Sequence, residues 1–216
     1  MSNSIPKRFI RIWIGGKILI PKKFDDWWQE FKILHPDYEF ITLKDYSLVK
    51  PPKELIPLIE NVKTCAGLSD IMRIVAMYQL GGIYVDTDVM PLKNFNNLLT
   101  DNKPFLAKRS SKSFETAIIG SPPNHPAFKK LIDFFPEYFW KNIDRAASVQ
   151  TGPAYVSSIL FGREDITHLP IKTFYPYNGF MAPSREKKIK IFSSKENFTP
   201  EMYAAHFCNH KCGGKP

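Results

Sequence analysis

Two carboxylates, Asp86 and Asp88, stand on either side of Thr87. Set this close, they can hold a hard divalent cation beside a phosphate, because such cations take oxygen ligands. Alone, an Asp-x-Asp is a weak signal, since a turn with a capping aspartate has the same residues. The residues before it narrow the choice. Asp70 and Arg73 are three apart and so share one face of a helix. Gly81 and Gly82 stop that helix, because glycine enters the left-handed conformation without steric cost. Ile83, Tyr84 and Val85 then form a short buried strand that delivers Asp86 and Asp88 at or just past its carboxyl end. In open α/β sheets that edge is where ligands bind. There Asp70 can accept hydroxyl hydrogen bonds, and Arg73 can meet phosphate oxygens with its rigid donor fork. The alternative for these two is an ordinary helix ion pair, worth only about half a kcal/mol.

Such a set needs a scaffold, and the first half of the chain predicts one. Arg8 to Ile14 forms a strand ending at Gly15-Gly16, and Phe24 to Leu34 a helix with Trp27, Trp28, Phe31 and Leu34 as its apolar stripe. Tyr38 to Leu43 is the second strand, Glu54 to Val62 a short helix, and the helix of Asp70 and Arg73 runs from about Gly67 to Leu80. This alternation predicts an α/β fold on a parallel sheet. Trp13 and Ile14 end the first strand at the same edge, where an aromatic ring stacks on a nucleotide base or packs into the core. In the second half, Phe105 to Lys108 and Ala117 to Gly120 are strands, and Pro126 to Phe135 and Glu137 to Ala147 are helices parted by Pro136. The run Phe134, Phe135, Tyr138, Phe139 and Trp140 is either core or an exposed patch facing an acceptor or a membrane. Thr151-Gly152-Pro153 opens another helix, and Phe174 to Gly179 is an extended segment and turn.

At 216 residues the chain predicts one domain, residues 1–212, with a short flexible tail at 213–216. Its hydrophobic and charged fractions, 44% and 24%, are those of a soluble globular protein. The net charge of +9 suits polyanions in general, from nucleic acid and anionic membrane to a nucleotide-sugar diphosphate. The lysines are scattered, and the one dense run, Lys187, Lys188 and Lys190, predicts a solvated loop or strand edge. No nucleic-acid module is recognised, so no specific nucleic-acid partner is expected. No apolar run reaches the length of a membrane span, and Met1 to Pro6 holds no signal-peptide core. The expectation is a cytoplasmic domain, of a bacterium or of a virus's host, although a domain trimmed of its anchor would have the same sequence. Cys65, Cys208 and Cys212 argue against a disulfide scaffold. His206, Cys208, His210 and Cys212 alternate and would share one face of a strand, a conceivable zinc site. Zinc pairs usually leave two or more residues between cysteines, so a last strand running into the tail is the preferred expectation.

The string from Ala66 to Val89 resembles the glycosyltransferase sugar-binding region that contains a DXD motif. That family includes the α-1,6-mannosyltransferases that start yeast outer chains, the α-1,4-galactosyltransferases and, more distantly, the glucosylating clostridial toxins. Ser69, Asp70, Arg73, Gly81, Gly82, Tyr84, Asp86 and Asp88 fill every place of its pattern. Ile5-Pro6-Lys7 through Ile12-Trp13-Ile14-Gly15 resembles its opening strand and Ala205-His206-Phe207 its closing histidine segment. The resemblance implies a single-domain, Rossmann-like GT-A fold. It also implies a metal-dependent, retaining transfer of a hexose from a nucleotide sugar to a glycan, lipid or protein acceptor, with a UDP-sugar favoured over GDP-mannose. Under it, Asp88 binds Mn²⁺ or Mg²⁺ directly, Asp86 reaches the ribose and the metal, and His206 is the late histidine on metal or diphosphate; an ordinary half-buried histidine is the other reading of His206. Asp70, Arg73, Asp86 and Asp88 carry the chemistry, and Trp13, Ile14 and Tyr84 join Asp70, Arg73 and Asp86 in binding the donor. The departing phosphate itself takes the acceptor proton, so no general base is assigned. Thr151 and Gly152 resemble the family's Thr-Gly-Pro turn near the acceptor, or are a plain helix start. Two rival functions are a metal-dependent phosphohydrolase, which needs further carboxylates or histidines, and a non-catalytic basic module binding carbohydrate or polyanions. The intact Asp70, Arg73, Asp86 and Asp88 speak against the second.

Overall fold

The computed structural model describes residues 4–14, 19–177 and 183–208. Its frame is three parallel strands with β1 (Arg8–Ile12) in the centre, β2 (Glu39–Leu43) on one side and β3 (Gly82–Val85) on the other. Parallel neighbours need crossover connections. Here α1 (Lys22–Leu34) joins β1 to β2, and α2 (Ile56–Asn61) and α3 (Cys65–Gln79) join β2 to β3. All three strands therefore end at one edge of the sheet. In α1 the residues Phe24, Trp27, Trp28 and Phe31 are buried at helical spacing, so the helix docks by one stripe. In α3 burial runs almost all round, which makes it the central helix of the molecule. It is capped by Thr64, whose hydroxyl accepts from Gly67 N–H at 3.0 Å.

The link from α3 into β3 depends on two glycines. Gly81 has φ 62° and Gly82 φ 98°. A Cβ on Gly82 would lie 2.7 Å from Arg8 O, and one on Gly81 2.6 Å from Pro123 N. Glycine is thus required here both by backbone conformation and by the close approach of neighbouring chain.

After β3 come β4 (Val89–Pro91), β5 (Phe105–Ser110), β6 (Ser113–Ser121), α4 (Pro126–Lys141), α5 (Ala147–Gln150), α6 (Pro153–Leu160), β7 (Thr167–Leu169), α7 (Arg185–Ile191) and β8 (Ala204–His206). The main sheet has the order β2-β1-β3-β6-β5-β7, and β4 and β8 form a separate antiparallel pair. It is not purely parallel as expected. β6 runs antiparallel to both β3 and β5, because β5 and β6 are joined by a tight turn that only antiparallel strands accept. The two strands are longer than expected, since the polar stretch Lys108 to Glu115 hid their continuation through the turn.

Four other expectations are corrected. Strand β1 stops at Ile12, although Trp13 N–H still donates to Leu43 O at 2.8 Å; Gly15 and Gly16 lie outside the described residues. Pro136 does not split its helix: α4 runs through it, held by buried Phe128, Leu131, Ile132, Phe135 and Phe139, and ends at Lys141, short of Ala147. Phe134 and Trp140 remain exposed, so the aromatic run is divided between core and surface. The lysine run is neither loop nor strand edge but lies in α7, and Lys188 turns inward to donate to Cys208 O at 2.9 Å. The closing strand ends at His206, and Cys208 has φ 54°, so His206 and Cys208 do not continue one strand face. His210, Cys212 and the tail at 213–216 lie outside the described residues. No helix among the described residues is long and apolar enough to cross a membrane.

Candidate active site

A cavity of about 510 Å³ opens at the carboxyl ends of β1 and β3. That volume suits a ligand of cofactor size. Asp86, Thr87 and Asp88 form the turn between β3 and β4 at its floor. Asp86 N–H is tied to Ala117 O at 2.7 Å, and Thr87 Oγ1 donates to Ile12 O at 3.2 Å. The central threonine therefore fastens the turn to the neighbouring strand while both carboxylates face the cavity.

On one side stands α3. Arg73 Nη1 pairs with Asp70 Oδ1 at 3.2 Å, and Nη2 pairs with Asp86 Oδ1 at 3.1 Å. Its guanidinium also lies 4.4 Å over the Tyr84 ring, and Tyr84 OH donates to Asp86 Oδ1 at 2.6 Å. The helix pair is thus no surface ion pair, because both side chains are buried and the arginine bridges two carboxylates. Burial works against the arginine's charge, but Tyr84, Asp86 and Asp70 outweigh it and hold the group protonated. Burial pushes the Asp70 carboxyl up to about 6, against the pull of Arg73 and of the Thr151 hydroxyl, which donates to Asp70 Oδ2 at 2.9 Å. Thr151 therefore orients Asp70 rather than merely opening a helix. Gly152 leaves room beside it, since a Cβ there would lie 3.1 Å from Asp70 Oδ2.

On the other side β8 brings in His206, by pairing it with Val89 of β4. His206 Nε2 is 3.2 Å from Asp88 Oδ1 and 3.6 Å from Asp86 Oδ2, and Nδ1 is 3.2 Å from Cys208 Sγ. Burial opposes a charge on this imidazole, but Asp88 and its hydrogen bond hold the pKa well above the ordinary value. One ligand atom from each of Asp86, Asp88 and His206 lies within 4.8 Å of the others. Two carboxylate oxygens and one imidazole nitrogen converging in this way suit a divalent cation. Trp13 and Ile14 line the same cavity, as the sequence predicts for the end of the first strand.

The site residues expected from the sequence are brought together around this one cavity. Ser69 of the family pattern lines it as well, and the wall also holds residues the sequence did not suggest: Cys65 of α3, Ser148 of α5, and Glu115 and Thr116 of β6.

The model of the family described as "Glycosyltransferase sugar-binding region containing DXD motif" matches residues 21–105. Over these residues the chain is similar to the DXD glycosyltransferases. Mannosyl phosphorylinositol ceramide synthase of Saccharomyces cerevisiae is 30% identical over 130 residues, which is 57% of this chain and 34% of the yeast protein. Lactosylceramide 4-alpha-galactosyltransferase of Pongo pygmaeus is 28% identical over 163 residues, 68% of this chain and 69% of that protein. This chain therefore spans about a third of the yeast glycosyltransferase and two thirds of the ape one. Among solved structures, the PaToxG glycosyltransferase superposes with a TM-score of 0.58 at 18% identity, covering 73% of this chain and 69% of that one, a likeness of fold. The fold is of the GT-A type, and residues 21–105 carry the family match.

Proposed function

We propose that this chain is a metal-dependent, retaining glycosyltransferase that moves a hexose from a nucleotide sugar, a UDP-sugar in preference to GDP-mannose, to a hydroxyl of a glycan, lipid or protein. The observation that carries this reading is the meeting of Asp86, Asp88 and His206 in the cavity that Asp70 and Arg73 also line. Mn²⁺ or Mg²⁺ held by these three would neutralise the charge that develops on a departing diphosphate. Arg73 supplies fixed positive charge at the same place, and its buried fork needs no rearrangement as that charge grows. Asp70, fixed by Arg73 and Thr151, is oriented to accept sugar hydroxyls and so to choose the hexose. Trp13 and Ile14 form the wall on which the nucleotide base is proposed to lie, with Tyr84 holding Asp86 beneath it. Two relatives act, by their names, on ceramide-based lipids, which supports keeping a lipid hydroxyl among the acceptors.

A phosphohydrolase would need further metal ligands, and among the described residues the cluster offers two carboxylates and one histidine. The test is a panel of nucleotide sugars incubated with Mn²⁺ and followed by release of nucleoside diphosphate, since slow hydrolysis requires no acceptor. Metal-dependent release from one or two UDP-sugars is expected. Equal turnover of the free nucleotide, or no turnover of any donor, would overturn the proposal.

A further inference from the structure

His206 has two ring nitrogens, and the cation site proposed above uses one of them. Nε2 lies 3.2 Å from Asp88 Oδ1 and 3.6 Å from Asp86 Oδ2. An imidazole binds a cation through a nitrogen that bears no hydrogen, so the ring hydrogen must then sit on Nδ1. The partner of Nδ1 decides whether it stays there. Here that partner is a cysteine: Cys208 Sγ is 3.2 Å from Nδ1, at the wall of the same cavity.

The backbone is bent to make this contact. Strand β8 ends at His206, and Cys208 takes φ 54°. Glycine adopts that conformation without cost, whereas a residue with a Cβ is strained in it. Such strain persists only where the surroundings hold it. Three contacts do so. Lys188 of α7, itself buried, donates to Cys208 O at 2.9 Å. Tyr177 OH donates to Phe207 O at 2.8 Å. Phe207 N–H donates to Asp88 O at 3.0 Å, which ties the segment to the turn that carries the carboxylates. The ring of Tyr175 meets the imidazole edge-on, with 5.6 Å between centroids and 83° between planes. A half turn of the imidazole would put carbon atoms in the places of both nitrogens. It would lose the sulfur contact and the contacts to Asp86 and Asp88 together.

We infer that Cys208 is a positioning residue for the cation. Its sulfur accepts the Nδ1 hydrogen of His206, which leaves Nε2 bare toward Asp86 and Asp88 and holds the ring against that half turn. The inference rests on reading Asp86, Asp88 and His206 as the cation site. It also gives the left-handed backbone at Cys208 a reason: a glycine there would relieve the strain but leave Nδ1 without this partner.

That contrast supplies the test. Mn²⁺ binding in the presence of UDP is read from the loss of the free ion's electron paramagnetic resonance signal, for wild type, Cys208→Gly and Cys208→Ser. The melting temperature of each metal-free protein is measured beside it. Cys208→Gly should weaken Mn²⁺ binding by roughly 10–100-fold, while its metal-free melting temperature stays at or above that of wild type. Cys208→Ser, which keeps an acceptor on the same arm, should recover most of the lost affinity. Unchanged Mn²⁺ affinity in Cys208→Gly overturns the inference. Equal losses in the Gly and Ser variants overturn it too, because an acceptor for Nδ1 is then not what the site needs. So does a metal-free melting temperature that falls along with the affinity, which shows a structural role. A wild type that binds no Mn²⁺ removes the cation reading and this inference together, whereas wild-type binding with an unaffected Gly variant removes this inference alone.

Discussion

Arg73 is where the charges of the cavity are balanced. It lies between Asp70 and Asp86, and each of its terminal nitrogens serves a different carboxylate. A lysine has one nitrogen in place of the planar fork and cannot bridge both. Arg73→Lys should therefore lower kcat by more than tenfold while donor KM changes little, because the lost contact is to charge that grows as the glycosidic bond breaks. Steady-state kinetics beside a thermal melt checks this: raised KM with normal kcat would place Arg73 in ground-state binding, and an unfolded variant would make it a structural strut. Asp88→Asn makes a different prediction. Its carboxylate faces His206 and Asp86 rather than the core, so turnover should vanish while the melting temperature stays within a few degrees of wild type. An Asn variant that hydrolyses donor at the native rate with Mn²⁺ would end the metal-ligand assignment. Asp70, Arg73, Tyr84, Asp86 and Asp88 were legible in the sequence because a helix, two glycines and a strand place them by local rules. Glu115 on the cavity wall was not, because its position depends on how β6 pairs with β3 and β5.

Among the elements, two joints invite direct tests. Gly82 combines φ 98° with a neighbour, Arg8 O, 2.7 Å from where a Cβ would be. Gly82→Ala should destabilise the fold by about 1–3 kcal/mol, from strain and from displacement of β1. A denaturant midpoint equal to wild type would show that the α3–β3 joint is slack. His35 ties the end of α1 to the segment after β4: Phe95 N–H donates to Nε2 at 2.9 Å, so Nδ1 carries the hydrogen and donates to Phe31 O at 2.8 Å. Burial lowers the pKa of this ring. A lowered histidine contributes stability that is present above its unfolded value of about 6.5 and is lost as pH falls through the folded value. The gap in melting temperature between wild type and His35→Asn should therefore narrow as pH drops from about 7.5 toward 5. A gap independent of pH would mean that the ring's protonation is not linked to folding. The α/β alternation of the first half was legible because each element has its own period and stop signals. The second half was not: Pro136 alone predicts a break, but the buried aromatic stripe of α4 outweighs one missing N–H.

For the molecule as a whole, the cavity depends on segments far apart in sequence, and its carboxylates repel one another when nothing lies between them. Asp86 and Asp88 face an incoming diphosphate of the same sign. UDP affinity measured by calorimetry should thus fall at least tenfold when Mn²⁺ is replaced by a chelator, and equal affinity in both would remove the cation from donor binding. Mn²⁺ alone should raise the melting temperature of wild type by mass action and leave that of His206→Ala nearly unchanged. The pairing of β4 with β8 has one more consequence, in time rather than space. A ribosome releases Asp86 and Asp88 long before His206, and at about 5–20 residues per second the delay is on the order of ten seconds. Through that interval the nascent chain has its Asp-x-Asp but not its histidine. The cluster of Asp86, Asp88 and His206 is therefore completed well after its Asp-x-Asp has emerged.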